Sequence, residues 1–456
     1  MQNGSFRNDT IVAISTPPGR GGIGVVRLSG ADARAIALPM LRLKHALEPG
    51  RVRLAKIVDP ESGEVLDEAV VTLYEAPHSY TTEDVVEIAC HSSPVLLEAV
   101  LRGCVQAGAR LAEPGEFTQR AFLSGRLDLT QAEAVHDLIE ATTLHQARIA
   151  AAQLGGALSK IVAPIKRRLV ELIAGLEAGV DFAEDDLDLM TEAEIAARIE
   201  SVRDPLQALA ATYDYGRIVR EGFTLAIVGR PNAGKSSLFN RLLVRQRAIV
   251  TDQPGTTRDA ISERMSIEGI PVELIDTAGL RTAPDGPEGE AERQGIERTN
   301  VAMAEADLVL HVVDGGALTK DIDEIVVAEA RPYLRVLNKS DLLSAGVGAE
   351  ASEGAIRTSA LTGEGIEELK RAIVMALTQT ATPPESAVLT NVRQHGAIMQ
   401  AVDALEIAAV AAQDGLPHEL LLLDLYGALD ALDRLTGATS ADEILNLIFS
   451  TFCIGK

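Results

Sequence analysis

Residues 223–243, FTLAIVGRPNAGKSSLFNRLL, restrict the fold more than any other stretch of the chain. A largely apolar run, Phe223–Val228, enters Gly229-x4-Gly234-Lys235-Ser236, and a helical pattern follows. A strand of that character belongs in a parallel sheet covered by helices. The glycines let backbone N–H groups turn inward on phosphate oxygens. Asn232, Ala233 and Gly234 line such a loop, Lys235 brings a point charge to the β and γ phosphates, and Ser236, followed by Ser237, offers a hydroxyl to Mg²⁺.

Further pieces arrive in order. VELIDTAG ends an apolar strand at Asp276, a carboxylate suited to the outer sphere of Mg²⁺, and continues through Thr277 and Ala278 to Gly279, whose N–H can meet the γ phosphate. LRVLNKSD ends another strand at Asn338-Lys339-x-Asp341, and the carboxylate of Asp341 suits the N1 and N2 donors of guanine, a pattern adenine lacks. TSAL then supplies Ser359 and Ala360 for the guanine carbonyl. Between the first two motifs lies VTDQPGTTRD, where Thr257 is a candidate second Mg²⁺ ligand in a loop ordered by the γ phosphate. These spacings describe a site for GTP rather than ATP. Leu280 stands where Ras-like enzymes orient water with a glutamine, so another group must do so. The acidic stretch that follows offers Glu288, Glu290, Glu292 and Glu297. Positive charge is also needed at the transferring phosphate. A monovalent cation held by Asn232 and backbone carbonyls of residues 251–256 is one possible source.

The chain has 456 residues, room for about three domains. Residues 1–118 read as an α+β domain, with strands in TIVAIST, IGVVRLSG, AVVTLYEA and DVVEIACH and a helix in SSPVLLEAVLRGCVQAGA. Residues 119–217 are mostly helical: Ile165, Leu169, Leu172 and Leu176 form one apolar stripe, and Ile195, Ile199, Val202, Leu206 and Leu209 another. Thr191 and Glu194 read as a capping box, Pro205 should kink or interrupt its helix, and AEDDLDLM reads as a solvated turn. Residues 218–380 form the α/β part, and 381–456 return to helix. The α/β part is therefore expected as an insertion in one helical domain, whose two segments pack together. The net charge of −24 opposes broad nucleic-acid binding, so any RNA contact needs a local basic patch or a partner. Cys90, Cys104 and Cys453 are too few and scattered for a disulfide framework, which fits a cytoplasmic setting. No leader peptide or membrane span is read from the sequence.

TPPGRGGIGVVRLSG, EPGEFTQRAFLSGRLDLTQAEAVHDLI, GRPNAGKSSLFN, TDQPGTTRD, DTAGLR, NKSD and a terminal FCIGK occur in that order. Together they resemble the MnmE (TrmE) family of tRNA modification GTPases, within the TrmE-Era-EngA-like superfamily. The likeness spans the whole chain, and its N-terminal block and tail are the most specific parts. It implies an N-terminal folate-binding-like domain that dimerises, an all-α domain and an inserted Ras-like GTPase domain. It also implies a homodimer that joins an MnmG-type flavoprotein in a heterotetramer. With tRNA as substrate, this assembly places an aminomethyl or carboxymethylaminomethyl group on C5 of the wobble uridine.

The same resemblance implies K⁺ at Asn232, Thr251, Gln253 and Thr256, with Asp252, Pro254 and Gly255 completing that loop. It implies Mg²⁺ at Ser236 and Thr257, and selects Glu292 as the catalytic carboxylate. It implies a tetrahydrofolate derivative, 5-formyl or methylene, at Arg27, Glu87, Arg126 and Lys456. Cys453 is a candidate catalytic thiol if the tail is presented outward, and otherwise a small apolar residue of the core. Cations suit folate's glutamyl carboxylates, and a buried Glu can accept from the pterin N–H edge. Two features depart from the family pattern: Ser92-Ser93 replace two glycines, and Gln253-Pro254 stiffens the K⁺ loop. An Era- or Der-type ribosome-assembly GTPase is the alternative, opposed by the single phosphate loop and the acidic chain. A lipid anchor on Cys453 is opposed by Gly455 and Lys456. The segment ADEILNLIFSTF is expected to pack within the helical domain and to present the last four residues outward.

Overall fold

The structure is a computed structural model that describes residues 9–181, 190–230, 232–243, 262–276, 305–316, 332–343, 354–378, 388–438, 448, 452–453 and 455. It divides into two compact units, one of residues 1–136 with 433–456 and one of residues 137–432. AEDDLDLM falls almost wholly outside the described residues, as does most of ADEILNLIFSTF.

In the first unit the expected strands form, together with short ones the periodicity does not announce. They are β1 (Ile11–Ile14), β2 (Gly21–Ser29), β3 (Leu41–Leu43), β4 (Val52–Val58), β5 (Val65–Tyr74), β6 (Val85–Ser92) and β7 (Arg110–Leu111). Their order is β3-β4-β5-β6-β2-β1-β7. Every pairing is antiparallel except that of β1 with β7. Helices α1 (Ala33–Ala37) and α2 (Pro94–Gln106) cover one face, and α3 (Glu116–Leu123) and α4 (Leu129–Glu140) follow. The period of two decides what each face carries. Val86, Ile88 and Cys90 of β6 enter the core with Val26 and Leu28 of β2. Arg27 and Glu87, between those residues, take the opposite face, and the register places them directly across from each other.

Below this sheet Arg120, nearly buried, binds Asp9, Glu83 and Glu116, while Arg110 binds Asp9 and Glu116. Burial pushes the Glu116 carboxyl up, but the arginines and the Glu113 N–H outweigh it and hold it below its ordinary range. Asp9 is lowered in the same way by Arg110 and Arg120.

In the second unit α5 (Leu144–Leu154), α6 (Ala157–Asp181), α7 (Glu192–Ala210) and α8 (Tyr213–Glu221) precede the α/β part. Both apolar stripes are buried, and Thr191 and Glu194 form the capping box. Pro205 does not interrupt α7. Val202, Leu206 and Leu209 bury one continuous stripe on both sides of the proline, and tertiary packing of that stripe outweighs the lost backbone bond.

The α/β part comprises β8 (Phe223–Val228), α9 (Lys235–Leu243), β9 (Ser262–Ile267), β10 (Ile270–Asp276), β11 (Leu308–Asp314), β12 (Tyr333–Asn338), β13 (Ala355–Arg357) and α10 (Ile366–Thr378). The sheet order is β13-β12-β11-β8-β10-β9. All pairs are parallel but β9–β10, which form a hairpin. α11 (Val392–Gln413) and α12 (His418–Thr436) then return to the helical layer. α11 packs on α7, and Gln153 Nε2 of α5 donates to Val388 O at 2.8 Å. The helical segments before and after the α/β part therefore share one core, as expected of an insertion. α11 is long and apolar enough to cross a membrane by length and composition, but half of its apolar stretch is buried inside this unit.

Removing one partner from a buried ionic cluster leaves uncompensated charge. Arg120→Met should therefore destabilise the chain by about 3–5 kcal/mol in urea unfolding at neutral pH. Because Asp9 and Glu116 titrate below their unfolded values, this stability is present above the ordinary carboxylate range. It is lost as pH falls through the lowered folded values, so the gap between wild type and variant should narrow in acid.

Candidate functional site

Strand β8 lies at the centre of its sheet, between β10 and β11, and its carboxyl end opens at the switch in strand order where ligands bind in such sheets. Gly229 leaves it at φ +151°, and a Cβ there would sit 2.2 Å from Val312 O of β11. Asn232 takes a left-handed φ of +68° and Gly234 one of +88°. A Cβ on Gly234 would lie 2.3 Å from Asn338 Nδ2. Lys235 Nζ donates to Gly229 O at 2.7 Å and Arg230 O at 3.0 Å, so the ammonium lies within the loop's curve. Ser236 and Ser237 stand exposed on the first turn of α9.

Asn338 is wholly buried. Its Nδ2 donates to Ala233 O at 3.1 Å, and its Oδ1 accepts from the Ala360 N–H at 3.1 Å. One amide thus joins the phosphate loop to the two loops expected to read the base. Lys339, left-handed at φ +60°, pairs with Asp314 at 2.7 Å. Burial raises the Asp314 carboxyl, while Lys339 and the Gly316 N–H outweigh it and hold it low. Asp341 Oδ1 accepts from Ser359 Oγ at 2.5 Å, which orients the carboxylate. Asp314 was not singled out from the sequence. Its signal is an acid ending the apolar run LVLHVVD.

Asp276 ends β10, opposite Ile227 of β8. Thr251, Asp252, Gln253, Pro254, Gly255, Thr256, Thr257, Thr277, Ala278, Gly279, Glu292 and Lys456 lie outside the described residues, as does the side chain of Asp276.

A second group gathers in the first unit. Arg27 is far from a plain surface residue: its Nη2 meets Glu87 Oε1 at 2.8 Å with both side chains mostly covered. Its guanidinium lies 5.6 Å from the Phe117 ring centre. Arg126 Nη1 donates to Tyr80 O at 2.7 Å, and its guanidinium stands 5.0 Å over the Tyr80 ring. Glu87, Tyr80 and Arg126 line a cavity of about 500 Å³ with Tyr74, Pro77 and His78.

The chain end reaches the same place. Gly455 O accepts from Arg27 Nη1 at 3.3 Å and Ser15 Oγ at 3.1 Å. Gly455 has φ +97°, and a Cβ there would sit 2.6 Å from Ile14 O. Of the last four residues, then, Gly455 docks inward while Cys453 faces solvent. The reason is the close backbone approach that glycine allows. The exposure of Cys453 excludes a packing role for its thiol. Ser92 lies at the end of β6 opposite Gly21, and Ser93 immediately precedes α2 at its cap position. At that pairing a Cβ on Gly21 would meet Ser92 only at ordinary contact, 3.7 Å, so the serine is accommodated.

The family description "MnmE helical domain" matches residues 129–453, and "GTP-binding protein TrmE N-terminus" matches residues 10–126. The tRNA modification GTPase MnmE of Koribacter versatilis (strain Ellin345) is 56% identical over 455 residues, covering 98% of this chain and 99% of that protein. The protein of the same description from Acetivibrio thermocellus is 41% identical over 462 residues, covering 99% and 100%. The chain belongs to the MnmE family of tRNA modification GTPases. It is accordingly a GTPase acting in tRNA modification, built of an N-terminal TrmE domain, an MnmE helical domain and an inserted P-loop domain.

Two outcomes test the geometry. A side chain at Gly234 should collide with the Asn338 amide and strain the loop by about 1–3 kcal/mol. Gly234→Ala should therefore weaken GTP binding about 5- to 150-fold by calorimetric titration, and an unchanged Kd would remove the loop contact from the binding argument. Burial pushes the Cys90 thiol up to about 11 and that of Cys104 to about 12. Iodoacetamide at pH 8 should then label Cys453 in the native protein, with Cys90 and Cys104 reacting only after unfolding, as read by peptide mass spectrometry.

Proposed function

We propose that this chain couples GTP hydrolysis to modification at C5 of the wobble uridine of tRNA, with a folate one-carbon donor held in the first unit. The observation that carries the reading is the convergence of Arg27, Glu87, Arg126 and the chain end beside one cavity. These groups come from four distant parts of the sequence: the β2–β6 register brings Arg27 to Glu87, and Arg126 and the chain end join them from elsewhere. The cavity fits a tetrahydrofolate derivative in kind: guanidinium groups for the glutamyl carboxylates, a carboxylate for the pterin N–H edge and the Tyr80 ring for stacking. When bound, that group supplies the one-carbon unit. Arg126 orients its acid tail with Lys456, while Arg27 stands at the other end, holding the Glu87 carboxylate for the pterin edge.

At the nucleotide site the roles divide by chemistry. Lys235 and the N–H groups after Gly229 bind phosphate, and Asp341, held by Ser359, reads guanine. Ser236 and Thr257 would hold Mg²⁺. Asn232, Thr251, Gln253 and Thr256 would hold K⁺, which would supply positive charge at the transferring phosphate. Glu292 orients the attacking water in place of the absent glutamine. Cys453, exposed beside the docked tail, is the candidate thiol for the tRNA step. The assembly is a homodimer that works in the cytoplasm with an MnmG-type flavoprotein.

A strain deleted for this chain and complemented with variants tests the reading. Nucleoside mass spectrometry should find the modified wobble uridine restored by wild type. Glu292→Ala should fail to restore it while binding GTP normally, and Arg126→Ala should fail with GTP hydrolysis intact. Normal levels of the nucleoside in the deletion strain would refute the function, and full restoration by Arg126→Ala would remove the first-unit site from it.

A further inference from the structure

The β9–β10 hairpin has a particular place in the chain. Its first strand begins at Ser262, just after the segment that carries Thr257, and its second ends at Asp276, directly before Thr277. An unbroken antiparallel ladder joins the strands from Ile275↔Ser262 to Ile270↔Ile267. The hairpin therefore runs along β8, from roots at the carboxyl end of β8, the end that leads into the phosphate loop, to its tip, Glu268-Gly269, at the far end. Both tip residues are left-handed, at φ +51° and +83°.

That tip touches the helical layer at one corner. Thr143 Oγ1 donates to Gly269 O at 2.6 Å. A Cβ on Gly269 would fall 2.6 Å from His145 Cβ, so the contact leaves no slack. Thr143 is also the cap of α5, its hydroxyl accepting from the Gln146 N–H at 3.1 Å while the Gln146 side chain returns to the Thr143 N–H. Gln146 Nε2 in turn donates to Arg220 O at the end of α8, and Arg220 pairs with Asp137 of α4. His145 Nε2 lies 2.9 Å from Tyr215 OH, also on α8. Below the tip a cleft of about 530 Å³ lies between the strands and this corner, lined by Arg264 and Glu273 on the hairpin and by Glu140 and Gln146 opposite. A capping threonine needs no donor bond to a distant loop. Here the same hydroxyl joins two jobs, so whatever moves the tip acts on the first turn of α5.

We infer that Thr143 is a positioning residue through which the β9–β10 hairpin passes the nucleotide state to the helical layer. The inference rests on the nucleotide site proposed above, because it takes the roots of the hairpin to be biased by bound phosphate. An equilibrium between two seatings of the tip would be shifted by that bias and read out as the order of α5.

The experiment is amide hydrogen exchange over residues 143–154 of the full chain, with GDP and with a non-hydrolysable GTP analogue, each with Mg²⁺. Wild type should show rates differing by about fivefold or more between the two nucleotides. Thr143→Asp keeps an acceptor for the Gln146 N–H, so α5 remains capped, but has no proton for Gly269 O. In that variant the difference should disappear and tRNA modification should fall about tenfold, while GTP hydrolysis stays near wild type. Thr143→Ser, which keeps both bonds, should behave as wild type. No nucleotide-dependent difference in wild type, or a difference that survives Thr143→Asp in protein whose helix content is unchanged, would overturn the inference. Failure of the underlying nucleotide site would appear separately, as unchanged GTP affinity in Gly234→Ala.

Discussion

The buried amide of Asn338 holds the nucleotide site together. It is wholly shielded from water, and both ends are used, the Nδ2 on the phosphate loop and the Oδ1 on the Ala360 N–H. In so dry a place an unmet polar group costs about 1–3 kcal/mol, so the three loops are energetically obliged to meet around it. Gly234 has no side chain because that amide occupies the space where a Cβ would be. The left-handed Lys339 turns its ammonium back to Asp314, and the following turn delivers Asp341 to Ser359. One buried residue thus fixes how three loops meet at the end of the sheet.

The first unit follows a different rule. There the alternation of β2 and β6 places a charged pair on the face opposite the core, and the strand register makes them neighbours. A one-residue slip would send Arg27 and Glu87 into the apolar layer, so burial of Val26, Leu28, Val86 and Ile88 also fixes the face on which that charged pair stands. The chain end joins this face through a glycine whose backbone lies against β1. The tail is tied down by hydrogen bonds to its backbone, which leaves the Cys453 side chain available.

Much of this was legible in the sequence because the relevant physics is local. The apolar run before the phosphate loop, the stripes of α6 and α7, and the Thr191–Glu194 cap depend on residues within a few turns of one another. Pro205 shows the limit of local reading: a proline there predicts a kink or break, yet α7 runs through it with buried contacts on either side. Asp314 escaped notice because its role appears only when β11 lies beside β12 and Lys339 turns left-handed. Likewise the neighbour of Ser92, Gly21, is set by the β2–β6 pairing and not by the residues around the serine.

By itself the sequence determined the kind of chain: a phosphate loop on an α/β insertion, helical segments on either side of it and an acidic balance. Those are matters of residue type and short spacing, and short-range sterics and hydrogen bonding are enough to settle them. Only the tertiary structure decided which distant residues meet: Asn338 with Ala233, Gly455 with Arg27, and Gly269 with Thr143. Such meetings depend on strand register and on the closeness two backbones can reach. Those follow from packing the whole unit and not from any one segment of it.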